Sequence, residues 1–276
     1  MLDFWQNIYS HFDPVALHIG PIAVHWYGIL YVTALIVALF AAKWYVKKDN
    51  IPITSQQLDN YFIYVQIGVI VGARLGYVFI YSSDLPYYLK YPWQMFNPFI
   101  GGQYSGISGL SYHGAIVGFL LATWIFTLRN KFSFNKLMDL VALSVPVGYT
   151  FGRIGNFVNQ ELIGTPTSLP IGIYVNDVLR HPSQLYEAFL EGIAIAVILY
   201  FYRLKKRVDG ELIALYAVLY GIARITAEFF RQPDIQIGYL CCGATMGQLL
   251  SISMVIAGLI YFFYLRKDLL PTTSNR

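Results

Sequence analysis

Residues 137–164 read LMDLVALSVPVGYTFGRIGNFVNQELIG. Its first ~20 residues are apolar enough to cross a bilayer, yet the stretch closes on Arg153, Asn156, Asn159 and Glu161. On a helix, Arg153, Asn156 and Asn159 or Gln160 recur at three- and four-residue spacing and share one face. An arginine inside a bilayer costs roughly 2.5–3.5 kcal/mol on insertion scales, and its default reading is functional. The bland alternative is a side chain that snorkels to the nearer interface.

The rest of the chain sets the context for that arginine. Hydrophobic residues make up 57% of the 276 and charged ones 12%, about half the charged share of a soluble domain. The 23 tyrosines and 19 phenylalanines suit the aromatic belts at the two faces of a membrane. A net charge of +4 does not imply a nucleic-acid partner, because the basic residues fall in short runs between apolar segments. The N-terminal stretch carries Asp3 and Asp13 and no Lys or Arg before Pro14, the reverse of a signal-peptide n-region. The only cysteines are the adjacent Cys241 and Cys242. They form no zinc or redox spacing and read as small packing residues, so a nucleophilic cysteine would arrive on a substrate.

Seven apolar runs of spanning length are expected at roughly 19–42, 61–81, 110–128, 137–156, 183–202, 212–230 and 245–265. Thirteen of the 19 basic residues follow the odd-numbered spans, and only Lys90, Arg180 and Arg231 lie on the opposite side. The positive-inside rule then places the N-terminus outside and the C-terminus in the cytoplasm. The expected architecture is an all-α integral membrane protein of seven transmembrane helices, a single polytopic domain over 1–276. Residues 1–18 form an interfacial segment and 82–109 an outer aromatic arm. A small outer cap covers 158–182, with a hairpin from Ile171–Val175 around Asn176-Asp177. Residues 271–276 read as disordered.

This orientation gathers polar groups in the outer half of the bilayer. His25 and Tyr27 open span one, His113 opens span three, and Gln184, Tyr186, Glu187 and Glu191 open span five. Tyr220, Arg224 and Glu228 form one i, i+4 stripe on span six, while Arg74 sits nearer the middle of span two. Glu187 and Glu191 read as facing one another's helix turn and water, which leaves Glu228 as the obvious buried partner for the arginines. A basic pocket short of carboxylates should bind an anion, and at the outer leaflet a lipid headgroup. Arginine suits this better than lysine, since its planar fork holds two phosphate oxygens and stays charged when desolvated. Asp139 reads as structural, an acid at its own helix N-terminus. No metal-ligand spacing, nucleophile elbow or phosphate-cradling glycine loop occurs. A transporter would hold arginines at the midplane between inverted repeats. No repeat is visible, and this cluster is offset outward.

The stretch Gly152–Gly164 fits the signature Gly-Arg-x-Gly-Asn-Phe-x-Asn-x-Glu-x-x-Gly and so resembles the bacterial prolipoprotein diacylglyceryl transferases. His25-Trp26-Tyr27-Gly28, Gly72-Ala73-Arg74-Leu75-Gly76, His113-Gly114 and His181-Pro182-Ser183-Gln184-Leu185-Tyr186-Glu187 follow in that family's order. Tyr220-Gly221 through Arg224 to Glu228, then Arg231-Gln232-Pro233, complete the series. The resemblance implies a seven-helix enzyme of the bacterial inner membrane whose site faces the periplasmic leaflet. It implies transfer of the diacylglyceryl group of phosphatidylglycerol to the lipobox cysteine beside a prolipoprotein signal peptide, with no metal or cofactor. By motif, Arg153, Arg224, His113, Tyr27 and Tyr220 are the implied catalytic residues. Arg153, Asn156, Asn159 and Arg224 would hold phosphatidylglycerol, supported by Arg74, Glu161, Gly164, Glu228 and Arg231.

Overall fold

A computed structural model describes residues 2–20, 22–100, 103–104, 106–107, 109–233, 238, 240 and 243–267. The expectations for Cys241, Cys242 and 271–276 lie outside the described residues. In chain order the elements are α1 (Leu2–Gln6), β1 (Val15–Ile19), β2 (Ile22–His25), α2 (Trp26–Lys48), α3 (Ser55–Ile80) and α4 (Leu85–Lys90). Then come β3 (Phe99–Ile100), β4 (Gln103–Tyr104), α5 (Tyr112–Asn130), α6 (Phe134–Val158), β5 (Ile173–Val175) and β6 (Val178–Arg180). The chain continues through α7 (Ser183–Glu187), a π-helical segment Ala188–Ala194, α8 (Ile195–Tyr202), α9 (Glu211–Glu228) and α10 (Met246–Arg266). Among the described residues, six stretches are long and apolar enough to cross a membrane: α2, α3, α5, α6, Ser183–Tyr202 and α10. The protein is therefore a mostly helical, multi-pass membrane protein. The shorter α9 carries Glu211, Arg224 and Glu228 within 18 residues.

The chain divides into two compact units, one of residues 1–51 and 138–276, the other of 52–137. In the larger unit the first span begins later than expected. Val15–Ile19 and Ile22–His25 pair as an antiparallel hairpin, β1 with β2, and the helix starts at Trp26. Apolar content alone cannot separate such a strand from the first turns of a helix. Gly148 brings α6 onto α2, where an added Cβ would stand 3.0 Å from Ala38 Cβ. α10 begins at a capping box, Thr245 with Gln248, and lies against α9 at Gly221 and Gly258.

A hairpin forms around Asn176-Asp177 as expected, its first strand starting at Ile173. β5 and β6 pair Val175 with Val178 across Asn176 and Asp177, both at positive φ, as a two-residue hairpin turn requires. A small core of Ile8, Tyr9, Phe157 and Ile173 seals the N-terminal segment onto the end of α6, and Trp5 Nε1 donates to Ile171 O at 2.9 Å. At the far end, Asp139 caps α9 rather than its own helix, accepting from the N–H groups of Gly210 (2.8 Å) and Ile213 (3.0 Å). These are first-turn donors that a helix cannot satisfy internally.

In the smaller unit α3 starts at a Thr54/Gln57 capping box, six residues before the apolar run. Gly68, Gly72 and Gly76 of α3 face Gly114, Gly118 and Ala122 of α5. A Cβ on Gly72 would stand 2.7 Å from Gly118 Cα, and one on Gly76 2.7 Å from Gly114 Cα. Small residues every fourth position let the two backbones touch. Arg74 is buried six residues before the C-terminal end of α3. It donates to the Met95 carbonyl, to Gly109 O at 3.1 Å and to Tyr88 Oη at 3.2 Å, which ties the aromatic arm to α3.

Candidate active site

α6 ends at Val158, so Asn159 and Gln160 leave the helical face that Arg153 and Asn156 share. The chain turns there, with Gln160 and Leu162 at positive φ and Glu161 N donating to Asn156 O at 3.1 Å. Gln160 reaches back to the carbonyls of Tyr9 and Phe12, and no side-chain partner of Asn159 is found among the described residues. Asn156 is buried and donates to Glu161 Oε1 at 2.6 Å, while Arg153 Nη1 donates to its Oδ1 at 3.4 Å. The signature stretch thus holds one arginine, one amide and one carboxylate in a line.

The expectation of a basic pocket short of carboxylates is overturned. Glu187 of α7 and Glu191 of the π-helical segment are fully buried and face the arginines, not water. Glu187 meets three guanidinium groups, Arg224 Nη1 at 2.5 Å, Arg153 Nη1 at 3.0 Å and Arg231 Nη1 at 3.5 Å. Glu191 lies 3.5 Å from Arg224 Nη1 and 3.6 Å from Arg153 Nη2. Glu228 completes the set as the i, i+4 stripe implies, with Oε2 2.7 Å from Arg224 Nη2 and Oε1 accepting from Thr245 Oγ1 at 3.0 Å. Three arginines from two helices and a loop therefore meet three carboxylates. Unpaired, either set would carry several kcal/mol per ion of desolvation cost.

Tyr149 was not singled out by the sequence, and it joins the network directly. Arg153 Nε donates to its hydroxyl at 2.7 Å, the hydroxyl donates to Glu191, and Tyr220 Oη lies 3.4 Å away. The π-helical segment delivers Glu191 here. Gly192 lies so close to α6 that an added Cβ would meet Thr150 Oγ1 and stand 3.2 Å from Pro146 O. π-Helical turns of this kind recur at functional sites. The signal for both glutamates was present in the sequence, since two acids within one apolar span must find partners.

Tyr27 is partly exposed at the start of α2. It stacks on Tyr31 with ring centroids 6.2 Å apart and packs against Gly155 of the signature stretch. Gly164 lies in a tight main-chain joint. Thr165 N donates to Phe230 O (2.9 Å), Gln232 N to Ile163 O (3.1 Å) and His181 N to Thr165 O (3.0 Å). This joint places Arg231 beside Glu187. Outside the spans, burial lowers the pKa of His181, whose Nδ1 sits 3.1 Å from Tyr186 Oη. Burial also raises that of Tyr9, against a smaller opposing hydrogen bond from Gln184. Arg74 and His113 belong to the smaller unit. There His113 is exposed at the start of α5 and lines an apolar groove with Gly72, Gly76 and Phe79. No group of three or more potential metal ligands occurs among the described residues.

Residues 14–264 match the family model for prolipoprotein diacylglyceryl transferase. The phosphatidylglycerol–prolipoprotein diacylglyceryl transferase of Campylobacter curvus is 59% identical over 264 residues, covering 96% of this chain and 98% of the relative. That of Wolinella succinogenes is 58% identical over 95% and 97% of the two chains. That of Aliarcobacter butzleri is 54% identical over 96% and 98%.

Proposed function

Because the chain belongs to the prolipoprotein diacylglyceryl transferase family, we propose that it transfers the diacylglyceryl group of phosphatidylglycerol to the lipobox cysteine of prolipoproteins. This is the first step of lipoprotein maturation. The sulfur forms a thioether bond to the glyceryl carbon, the bond from that carbon to the phosphate oxygen breaks, and glycerol phosphate leaves with the electron pair. The thiol proton passes to a base.

One observation carries the site assignment: Arg153 and Arg224, on different helices, share the buried carboxylate of Glu187 at 3.0 and 2.5 Å. Two forks so fixed suit a phosphodiester and the charge that develops on its leaving oxygen. Asn156 adds a donor held in place by Glu161, with Glu228 and Arg231 buttressing Arg224 and Glu187. Tyr27 and Tyr220 line the approach. Asn159, Arg74 and His113 are assigned on the sequence motif alone.

The same reading makes α9 the seventh span of a single polytopic domain, with the N-terminus outside and 158–182 as a periplasmic cap. It places the protein in the bacterial inner membrane with its site facing the periplasmic leaflet. The basic residues after α2, α5, α8 and α10 support that orientation. To test the activity, purified protein is incubated with phosphatidylglycerol and a lipobox peptide. The expected result is a mass gain of one diacylglyceryl group on the cysteine, with release of glycerol phosphate. A cysteine peptide left unmodified, or a serine-substituted peptide modified equally well, refutes the reading.

A further inference from the structure

The Tyr149 hydroxyl is a neutral group that touches three members of the network. A hydroxyl has one hydrogen and two acceptor positions. Its hydrogen points to Glu191, one lone pair accepts Arg153 Nε–H at 2.7 Å, and Tyr220 Oη approaches the other at 3.4 Å. Arginine only donates, which fixes the direction of that bond. The ring also lies under the guanidinium, with Arg153 Cζ 4.9 Å from its centroid.

Nε is the donor nearest the aliphatic stem, so holding it sets the rotation of the whole planar fork. The other constraints on Arg153 are looser. Its Nη1 contact to Asn156 is 3.4 Å and its Nη2 contact to Glu191 is 3.6 Å, leaving Glu187 at 3.0 Å as the second firm anchor. Tyr149 and Arg153 are four residues apart on α6, so one helix face carries both and their relation survives motion of neighbouring elements.

We propose that Tyr149 is a positioning residue for the phosphatidylglycerol site: its hydroxyl fixes the Arg153 fork in the orientation that receives the headgroup. The proposal rests on the transferase reading above. It makes Tyr149 an actor through Arg153, not a group that touches the reacting atoms.

The test is a double-mutant cycle on the full-length protein, with Tyr149→Phe, Arg153→Lys and the pair. Phenylalanine keeps the ring, its burial and its cation–π contact, so the variant removes only the hydroxyl. Equilibrium affinity for phosphatidylglycerol in mixed micelles is measured, because it needs no turnover. Separate KM values for lipid and lipobox peptide are added for the active proteins. A hydrogen bond to a charged group makes about a tenfold loss of lipid affinity the expectation for Tyr149→Phe, with the peptide KM unchanged. Lysine has no Nε, so adding Tyr149→Phe to Arg153→Lys should cost nothing further. Independent losses that multiply in the pair, equal rises in both KM values, wild-type lipid affinity in Tyr149→Phe, or a Tyr149→Phe protein that fails to fold each overturn the proposal. A wild-type protein without transferase activity overturns the underlying reading and the proposal with it. An active wild type with a multiplicative cycle overturns the proposal alone.

Discussion

Gly164→Ala and Gly152→Ala alter the same signature stretch by the same methyl group and should behave in opposite ways. At Gly164 the new Cβ would stand 2.8 Å from Phe230 O and closer still to His181 O. Ordinary contact begins at 3.4 Å, so the strand must retreat by about 0.6 Å from Phe230 while His181 presses on the methyl as well. Both obstacles are main-chain carbonyls and neither can swing aside. Over-packing of this kind costs about 1–3 kcal/mol. Opening the joint weakens one or two of its three main-chain hydrogen bonds, at about 1 kcal/mol each. The total is on the order of 2–5 kcal/mol, and Arg231 is displaced from its 3.5 Å contact with Glu187. At Gly152 nothing lies within 4 Å, so Ala should be neutral or gain about 0.5–1 kcal/mol in helix propensity. Thermal unfolding in detergent, read beside lipid turnover, distinguishes them. Gly164→Ala should lose on the order of 5–15 °C in Tm and most activity, while Gly152→Ala keeps both. Equal melting points for the two variants would refute the steric argument.

Glu187→Gln should be more damaging than Glu228→Gln, because Glu187 serves three guanidinium groups and Glu228 one. Leaving buried charge uncompensated costs about 3–5 kcal/mol, and equal Tm values for the two would exclude the shared-anchor role. Asp139→Asn should lower stability by about 1–2 kcal/mol through the cap on α9. It should leave lipid KM unchanged, since Asp139 stands 14 residues before Arg153 on α6, about 21 Å along the helix. A raised lipid KM would contradict that separation. Burial disfavours protonated His181, so the unfolded chain binds the proton more readily and stability should fall as pH drops below about 6.5. The Tm of His181→Gln should show a shallower slope between pH 7.5 and 5.5, and an identical slope would exclude His181 as its source.

Six of the expected spans were legible because an apolar run of about twenty residues has few other uses. The hairpin over Asn176-Asp177 was legible because its turn demands positive φ at both residues. Where apolar residues permit two structures, composition failed, as at the start of the expected first span, where Ile22–His25 pairs with Val15–Ile19 before the helix begins. The arginines announced themselves through their cost. Glu228 was readable one helical turn from Arg224. Glu187 and Glu191 read as solvated, although two acids within one apolar span must find partners, and α7 and the π-helical segment turn them toward Arg153 and Arg224. Tyr149 was hidden for another reason: one tyrosine among 23 carries no signal until a donor is seen on its oxygen. The spacing of Gly68, Gly72 and Gly76 was not singled out in the sequence, and the facing Gly114, Gly118 and Ala122 show what it is for.

That glycine interlock between α3 and α5 has a bearing on how the smaller unit survives outside its native lipid. Lipid tails are as apolar as leucine, so burying side chains between two such helices gains nothing from the exclusion of water. Cohesion has to come from the number of atoms in van der Waals contact and from Cα–H groups set against facing carbonyls. Neither depends on the surrounding solvent being water or acyl chain. The pair should therefore hold together through changes of detergent or chain length that loosen helices joined by larger side chains. A single bulky residue at Gly72 or Gly118 would remove that tolerance, by separating the helices along their whole shared length.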